Sequence, residues 1–389
     1  MKITSICVIC GIYPGFPTDS AGIFIANLIK AFAYQGMHCI VIRPVSVTKA
    51  LLRKKNLPPF YSQEKIGSGI VEEYSPRTLS FGNLQLFGKQ ISQVLFKYSV
   101  EKTFRNIDTH FDLIYSHFLS SGEAAYALHL ATGIPFFTAL GESNFNELID
   151  TKNSRFLRDF FRHCAGMIAV SHSIKKAIVA STGNDEKIAS KIIVEPNGVD
   201  TQIFRQLDKY DIRKQLGIPL DDIVILFVGS LIQRKGARRL AAAVDGLENT
   251  HVYFIGNSGD DVPEEKANIH LCGSMSPHNV AAYLNAADFF VLPTLAEGCC
   301  NAIVEAMACG LPIISSNRDF NEGILDDQCA ILLDPLDISA IRDAIITLSN
   351  DSTLRKKMSE AALRKAQFLD ITQRAQRILS FMEDQIKNG

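Results

Sequence analysis

The stretch Glu297-Gly298-Cys299-Cys300-Asn301-Ala302-Ile303-Val304-Glu305-Ala306-Met307-Ala308-Cys309-Gly310-Leu311-Pro312 decides how this chain folds. Gly298 frees the backbone just after a strand expected over Asp288–Pro293, and Ala302–Cys309 has the composition of a helix. Gly310 is placed to cap that helix and Pro312 to open the next strand. A strand, glycine loop, helix, strand unit follows. The start of such a helix presents unpaired N–H groups and the positive end of a dipole, where a diphosphate binds without a metal. Glu297 and Glu305 flank this point eight residues apart. A carboxylate accepts two hydroxyl hydrogens at once, so the pair suits the gripping of sugar and ribose diols. A solvated loop glutamate beside a surface helix glutamate would show the same spacing.

Outward from this unit, short β-branched runs recur, each followed by a helix-length amphipathic stretch, the pattern of α/β chains with parallel sheets. In the first half, strands are expected at Ile3–Cys10, Cys39–Arg43, Asp112–Tyr115, Pro135–Thr138 and Met167–Val170. Helices are expected near Ile23–Gln35, Leu84–Asn106, Gly122–Ala131, Ser154–His163 and Ile174–Ser181. The second half restarts with strands at Ile223–Gly229, His251–Gly256, Asn268–Cys272, Asp288–Pro293, Pro312–Ser315 and Cys329–Leu332. The turn-forming Pro196-Asn197-Gly198-Val199-Asp200 marks the boundary, giving domains at residues 1–199 and 200–371 that face each other across a cleft. A last helix, about residues 372–389, is expected to pack back on the first domain. Lys49–Phe81, with Arg53-Lys54-Lys55 and Pro58-Pro59, is the least regular segment and reads as a loop or lid.

Length and composition agree with two globular domains: 389 residues, 47% hydrophobic and 21% charged. The formal net charge of −1 argues against nucleic acid as a partner. Split at Asp200, the halves carry +5 and −6. The basic first half suits an anionic acceptor or an anionic membrane surface, although so small a difference also arises by chance. Nine cysteines are scattered, mostly in apolar runs, which suits a reducing compartment. No pair of CxxC spacings frames a zinc site, so no structural metal is expected. Met1-Lys2-Ile3-Thr4 leads directly into a strand, and no apolar run reaches bilayer length. The expected location is cytoplasmic, with or without peripheral contact on the inner membrane's cytoplasmic face.

The spacing E-x7-E followed by A-M-A-x-G-x-P resembles the mark of the retaining glycosyltransferases of the GT-B fold, family 4. The resemblance continues to Phe227-Val228-Gly229-Ser230-Leu231-Ile232-Gln233-Arg234-Lys235-Gly236, to Pro196-Asn197-Gly198-Val199-Asp200, and to the first strand, glycine loop and helix. Arg234 and Lys235 follow a strand, so their loop carries them to the carboxyl edge of a sheet, where such folds bind ligands. The resemblance implies that Lys235, Glu297 and Arg234 are catalytic, with Lys235 on the donor diphosphate and Glu297 on a sugar hydroxyl. It places Glu305 on the ribose diol and a phosphate on the amides of Asn301, Ala302 and Ile303. Gly229, Ser230, Cys272, Gly298 and Cys300 complete the expected donor site. Across the cleft, Gly22, in Ser20-Ala21-Gly22-Ile23, backs the sugar phosphate or the acceptor, or simply leaves a helix start unhindered.

This chain departs from the family's pattern in two places. Ser230 stands where an arginine is common, and Arg234 is the candidate substitute. Thr138-Ala139-Leu140-Gly141-Glu142-Ser143-Asn144 holds no histidine, leaving Glu142 either as a sugar contact or as a solvated residue. His117 is expected at a cleft-facing strand end, either as a hydrogen-bonding residue or as a catalyst. His172 and Ser173 read as a helix start, and Cys299 and Cys300 as buried and inert. With no GxGxxG, the nicotinamide signature is missing.

The resemblance implies a transfer, with retention and without metal or other cofactor, from a UDP- or GDP-sugar to a glycan or a polyprenyl-diphosphate-linked acceptor in bacterial surface polysaccharide synthesis. A nucleotide-sugar epimerase or hydrolase on the same fold, or a non-catalytic nucleotide-sugar-binding subunit, are the alternatives.

Overall fold

The computed structural model describes residues 2–16, 19, 21–82, 84–86 and 89–388, so Ser20 lies outside the described residues. The chain forms two compact units. Unit 1 comprises Met1–Val170, Ile174–Glu195 and Thr372–Gly389, and unit 2 comprises Ser171–Ser173 and Pro196–Ile371.

Unit 1 is built on an eight-stranded sheet. Its strands in chain order are β1 (Ser5–Cys10), β2 (His38–Ile42), β3 (Tyr61–Ile66), β4 (Gly69–Tyr74), β5 (Leu113–His117), β6 (Phe136–Leu140), β7 (Gly166–Ala169) and β8 (Ile192–Val194). They lie in the order β8-β7-β6-β5-β1-β2-β4-β3. All pair in parallel except β3, which runs antiparallel to β4. Every residue of β1 is buried, as expected of a central strand covered on both faces. Consecutive connections leave β1 towards β2 on one side and return to β5 on the other, so the order reverses between β1 and β5.

The segment Lys49–Phe81 is not a loop or lid throughout. Val47–Leu52 is a short helix, and β3 and β4 form a hairpin that extends the sheet. The β3 run Tyr-Ser-Gln-Glu-Lys-Ile is exposed over most of its length because it is the edge strand, where charge discourages pairing with other chains. The expected helix Leu84–Asn106 is also shorter: it spans Ile91–Arg105, and Gln85–Leu86 pairs antiparallel with Lys89–Gln90 ahead of it.

Gly69 begins β4 where the carbonyls of Ala33 and Met37 approach so closely that a Cβ has no room. A Gly69→Ala chain must push the end of helix Ile23–Tyr34 off the sheet. It should lose about 1–3 kcal/mol of stability, read as a lower urea midpoint with an unchanged slope.

The chain passes from unit 1 to unit 2 after Glu195 rather than after Val199. Asn197 bonds within unit 2 to Cys299 and Asn301, and the Val199 amide donates to the Leu369 carbonyl at 2.8 Å. The last helix, Ile371–Asn388, belongs to unit 1 from Thr372 onward. There Arg377 forks onto the Glu195 carboxylate with two bonds of 2.9 Å, and Phe381 meets Phe137. No described helix is long and apolar enough to cross a membrane.

Unit 2 carries a six-stranded parallel sheet. Its strands are β9 (Ile223–Val228), β10 (Thr250–Ile255), β11 (Ile269–Gly273), β12 (Phe289–Leu292), β13 (Ile313–Ser316) and β14 (Ala330–Leu333), in the order β11-β10-β9-β12-β13-β14. The chain works outward from β9 to β11, then crosses to β12 and works outward on the other side. The loops after β9 and β12 therefore open side by side at the reversal point, where α/β sheets bind ligands.

Candidate active site

The loop after β9 brings Arg234 and Lys235 to the loop after β12. Lys235 Nζ lies 2.6 Å from Glu297 Oε1, and Arg234 Nη1 lies 2.9 Å from the same oxygen. Thr294 Oγ1 donates to it at 2.8 Å, and Arg234 also donates to the Ala296 carbonyl. The Lys235 side chain is 13% exposed and that of Glu297 9%, so the pair is largely withdrawn from water. Burial pulls the Lys235 ammonium pKa down, but Cys300 and the Glu297 carboxylate outweigh this and hold it above the ordinary lysine value. Lys235 stays charged at neutral pH.

The turn after β9 is closely packed. Gly229 follows β9 with the Lys235 methylenes 3.6–3.7 Å from where its Cβ would stand. Gly256, after β10, lies so close to the Gly229 carbonyl that no side chain fits. Ser230 is exposed in the same loop, while the Arg234 guanidinium occupies the ground beside Glu297.

Helix Asn301–Ala308 starts beside this ion group. Cys300 is its cap residue, and the Cys300 carbonyl accepts from the amides of Ile303 at 3.1 Å and Val304 at 3.3 Å. The Ile303 amide, expected to face a phosphate, is thus already bonded, whereas Asn301 and Ala302 supply the first amides of the turn. Gly298, Cys299 and Cys300 are buried. Burial pushes the Cys300 thiol up to about 11, against the pull of Lys235, so it is no nucleophile at neutral pH. Glu305 is half-buried in the next turn, and desolvation raises its carboxyl to about 7. Cys272 lies on the edge strand β11, with its Sγ 3.9 Å from the His270 carbonyl.

Asn197 and Thr294 belong to the site but were not among its expected residues. The Asn197 amide donates to Cys299 Sγ at 3.2 Å, and its side chain donates to Asn301 Oδ1 at 2.7 Å, bracing the glycine loop against the helix start. Pro-Asn-Gly reads in sequence as a turn, which hid this role. Thr294 fixes Glu297, and its own carbonyl accepts from Ser316 Oγ at 2.5 Å.

In unit 1, Gly22 caps helix Ile23–Tyr34 at φ 78°, and a Cβ there would come within 2.8 Å of the Ile12 and Tyr13 backbone. Both the left-handed conformation and the close approach demand glycine. His117 does not face open space. It is 1% exposed, hydrogen-bonded at Nδ1 to the Tyr115 hydroxyl at 3.1 Å and packed against Phe24 and Phe118. Burial, aided by Arg374, holds its pKa down to about 3, so the imidazole is neutral. Glu142 turns inward: Oε1 accepts from the Leu119 amide at 2.6 Å, at the start of helix Leu119–Thr132, and Oε2 from the Gly141 amide at 3.1 Å. This is a backbone-bracing role rather than a solvated one.

Two family models cover the chain in tandem: Glycosyltransferase Family 4 over residues 21–203 and Glycosyl transferases group 1 over residues 208–365. The chain belongs to the family 4, group 1 glycosyltransferases. This glycosyltransferase is 26% identical over 368 residues to Bacillus subtilis TuaC, named as a glycosyltransferase of teichuronic acid biosynthesis, covering 90% of this chain and 91% of that one. It is 24% identical to the phosphatidyl-myo-inositol mannosyltransferase of Mycobacterium leprae, over 78% of this chain and 82% of that one. An Escherichia coli UDP-Gal:alpha-D-GlcNAc-diphosphoundecaprenol alpha-1,3-galactosyltransferase is 27% identical over 51% of this chain and 55% of its own. Among solved structures, the sucrose-phosphate synthase of Thermosynechococcus elongatus superposes with a TM-score of 0.79 at 17% identity, covering 99% of this chain and all of that one. Anabaena HepE in complex with UDP gives 0.72 at 18%, with 99% and 100% covered. The glycosyltransferase therefore has the GT-B fold.

Proposed function

We propose that the glycosyltransferase transfers a sugar, with retention and without a metal, from a UDP- or GDP-sugar held on unit 2 to a glycan or polyprenyl-diphosphate-linked acceptor, in the synthesis of a bacterial surface polysaccharide. The observation that carries this reading is the Lys235–Glu297 pair, flanked by Arg234, beside the start of helix Asn301–Ala308. A departing diphosphate needs positive charge that is already in place, and Lys235, Arg234 and the Asn301 and Ala302 amides supply it in a site largely shielded from water. Glu297 holds Lys235 in position before the donor arrives and then takes a sugar hydroxyl. Glu305 takes the ribose diol. With Glu297 committed to two cations, a donor phosphate oxygen is the base that receives the acceptor proton on the leaving-group face, which retains the anomeric configuration.

The relatives support the acceptor class: one is named for teichuronic acid biosynthesis, and others by their names act on phosphatidyl-myo-inositol and on a diphosphoundecaprenol-linked sugar. Peripheral contact with the cytoplasmic face of the inner membrane is part of the same reading. The test is the anomeric configuration of the product, read by NMR coupling constants with a chelator present throughout. An α-linked donor should give an α-linked product at full rate. An inverted linkage, or a rate restored only by added divalent metal, rejects the mechanism.

A further inference from the structure

Arg239 enters none of the roles above, yet the two loops of the donor site meet on its guanidinium. It stands in the first turn of helix Ala237–Ala243, four residues after Lys235. Helical side chains lean back toward the helix start, which carries this one over the loop after β9. Nη1 donates to the Gln233 carbonyl at 3.0 Å and Nη2 to the Pro293 carbonyl at 2.8 Å. Gln233 immediately precedes Arg234 and Lys235, and Pro293 immediately precedes Thr294, whose hydroxyl fixes Glu297. One planar fork therefore ties the stretch of backbone that carries both cations to the stretch that carries the carboxylate.

The same two loops are joined one step further on, where the Leu295 amide donates to the Arg234 carbonyl at 2.8 Å. Arg239 grips them at the base, since Pro293 directly follows β12. Gly236 admits the guanidinium. Its φ is 81°, and a Cβ there would come within 2.8 Å of the Pro293 carbonyl oxygen and closer still to the Arg239 guanidinium. The arrangement costs stability, because the buried Nε–H of Arg239 has no hydrogen-bond partner among the described residues. Asp261, the acid whose charge bears on Arg239, has its Oδ2 on the Arg238 amide at 3.1 Å. A side chain needed only to fill this half-buried place would be apolar. What a guanidinium adds is two donors in one rigid plane, aimed at two carbonyls sixty residues apart in sequence.

We propose that Arg239 is a positioning residue, which fixes the distance between Lys235 and Glu297 by locking the two loops together. This rests on the reading above, in which Lys235 meets the donor diphosphate. Lys235 and Glu297 stand 2.6 Å apart on loops from different strands, and a displacement of about 1 Å between such groups is enough to lose about a hundredfold in rate.

A double-mutant cycle on the full chain, read by calorimetry with UDP and with GDP, tests the proposal. Arg239→Met and Arg239→Lys should weaken nucleotide binding alike, each roughly tenfold, because lysine restores the charge but not the fork. In a Lys235→Ala chain either substitution should add less than about twofold, since the residue it acts through is gone. Hydrogen exchange without nucleotide should show the amides of residues 230–236 and 294–298 opening together in both Arg239 variants. Affinity recovered by Arg239→Lys makes the role one of charge and overturns the proposal. An Arg239→Met effect undiminished by Lys235→Ala overturns it too, as does a lowered melting temperature with affinity and loop exchange unchanged, the mark of an arginine kept for stability alone. If Lys235→Ala by itself leaves UDP and GDP binding untouched, the diphosphate reading of Lys235 falls separately. Exchange then decides for Arg239: joint opening of the two loops upholds the tie, and unchanged exchange overturns it.

Discussion

A Lys235→Ala chain should release nucleoside diphosphate from its donor roughly 100- to 1,000-fold more slowly than the native chain, the loss typical of one preorganised electrostatic contact in a water-excluded site. The size follows from where the ammonium sits: mostly buried, 2.6 Å from Glu297 and beside a helix start. Water cannot replace it at full strength there, because the space is hemmed in by Cys300 and the Gly229 turn. Glu297 would not be stranded by the change, since Arg234 and Thr294 still reach Oε1 at 2.9 and 2.8 Å. The fold should survive, and an unchanged melting temperature would confirm that the loss is chemical. Arg234→Ala should cost less, roughly tenfold, because its guanidinium is one-third exposed and better screened. Steady-state turnover of both variants gives the ranking. A Lys235→Ala chain that keeps most of its activity would remove Lys235 from the diphosphate site.

Most of the fold was legible in the sequence because buried parallel strands are nearly continuous apolar runs, and Ser5–Cys10 or Ile223–Val228 admit no other reading. Tyr61–Ile66 escaped because an exposed edge strand carries polar residues and loses the apolar pattern that identifies strands. The placement of Glu297, Lys235 and the helix start at one sheet edge was legible because a glycine loop between strand and helix is written in residue types. Asn197 was not, since its contribution depends on a contact more than one hundred residues away in sequence. His117 keeps its hydrogen-bonding reading, through the Tyr115 hydroxyl, but lacks the open face expected of it. A strand end at the carboxyl edge predicts an open face, but Phe24 and Phe118 close over the ring, and only packing reveals that.

Glu305 supplies the second large effect, and its sign can be worked out. Burial raises its carboxyl from the ordinary 4.5 to about 7, so in the empty chain it is largely protonated below neutrality. A ribose diol donates hydrogens and needs the ionised form as acceptor. Binding a nucleotide below pH 7 must therefore expel a proton, and affinity should rise about tenfold between pH 6 and pH 8. Calorimetry in buffers of different ionisation enthalpy measures that proton directly. In Glu305→Gln the pH dependence should vanish and affinity at pH 8 should fall by roughly 100-fold, the loss of two hydrogen bonds to a charged group. Stability should move the other way. The folded chain binds more protons than the unfolded chain between pH 4.5 and about 7, so it loses stability as pH rises through that window, and glutamine mimics the neutral acid it prefers. The empty variant should melt higher than the native chain at pH 8 while binding nucleotide far more weakly. A carboxylate kept only for structure would move both quantities in the same direction, so the opposed shifts are the signature of a residue held for its ligand.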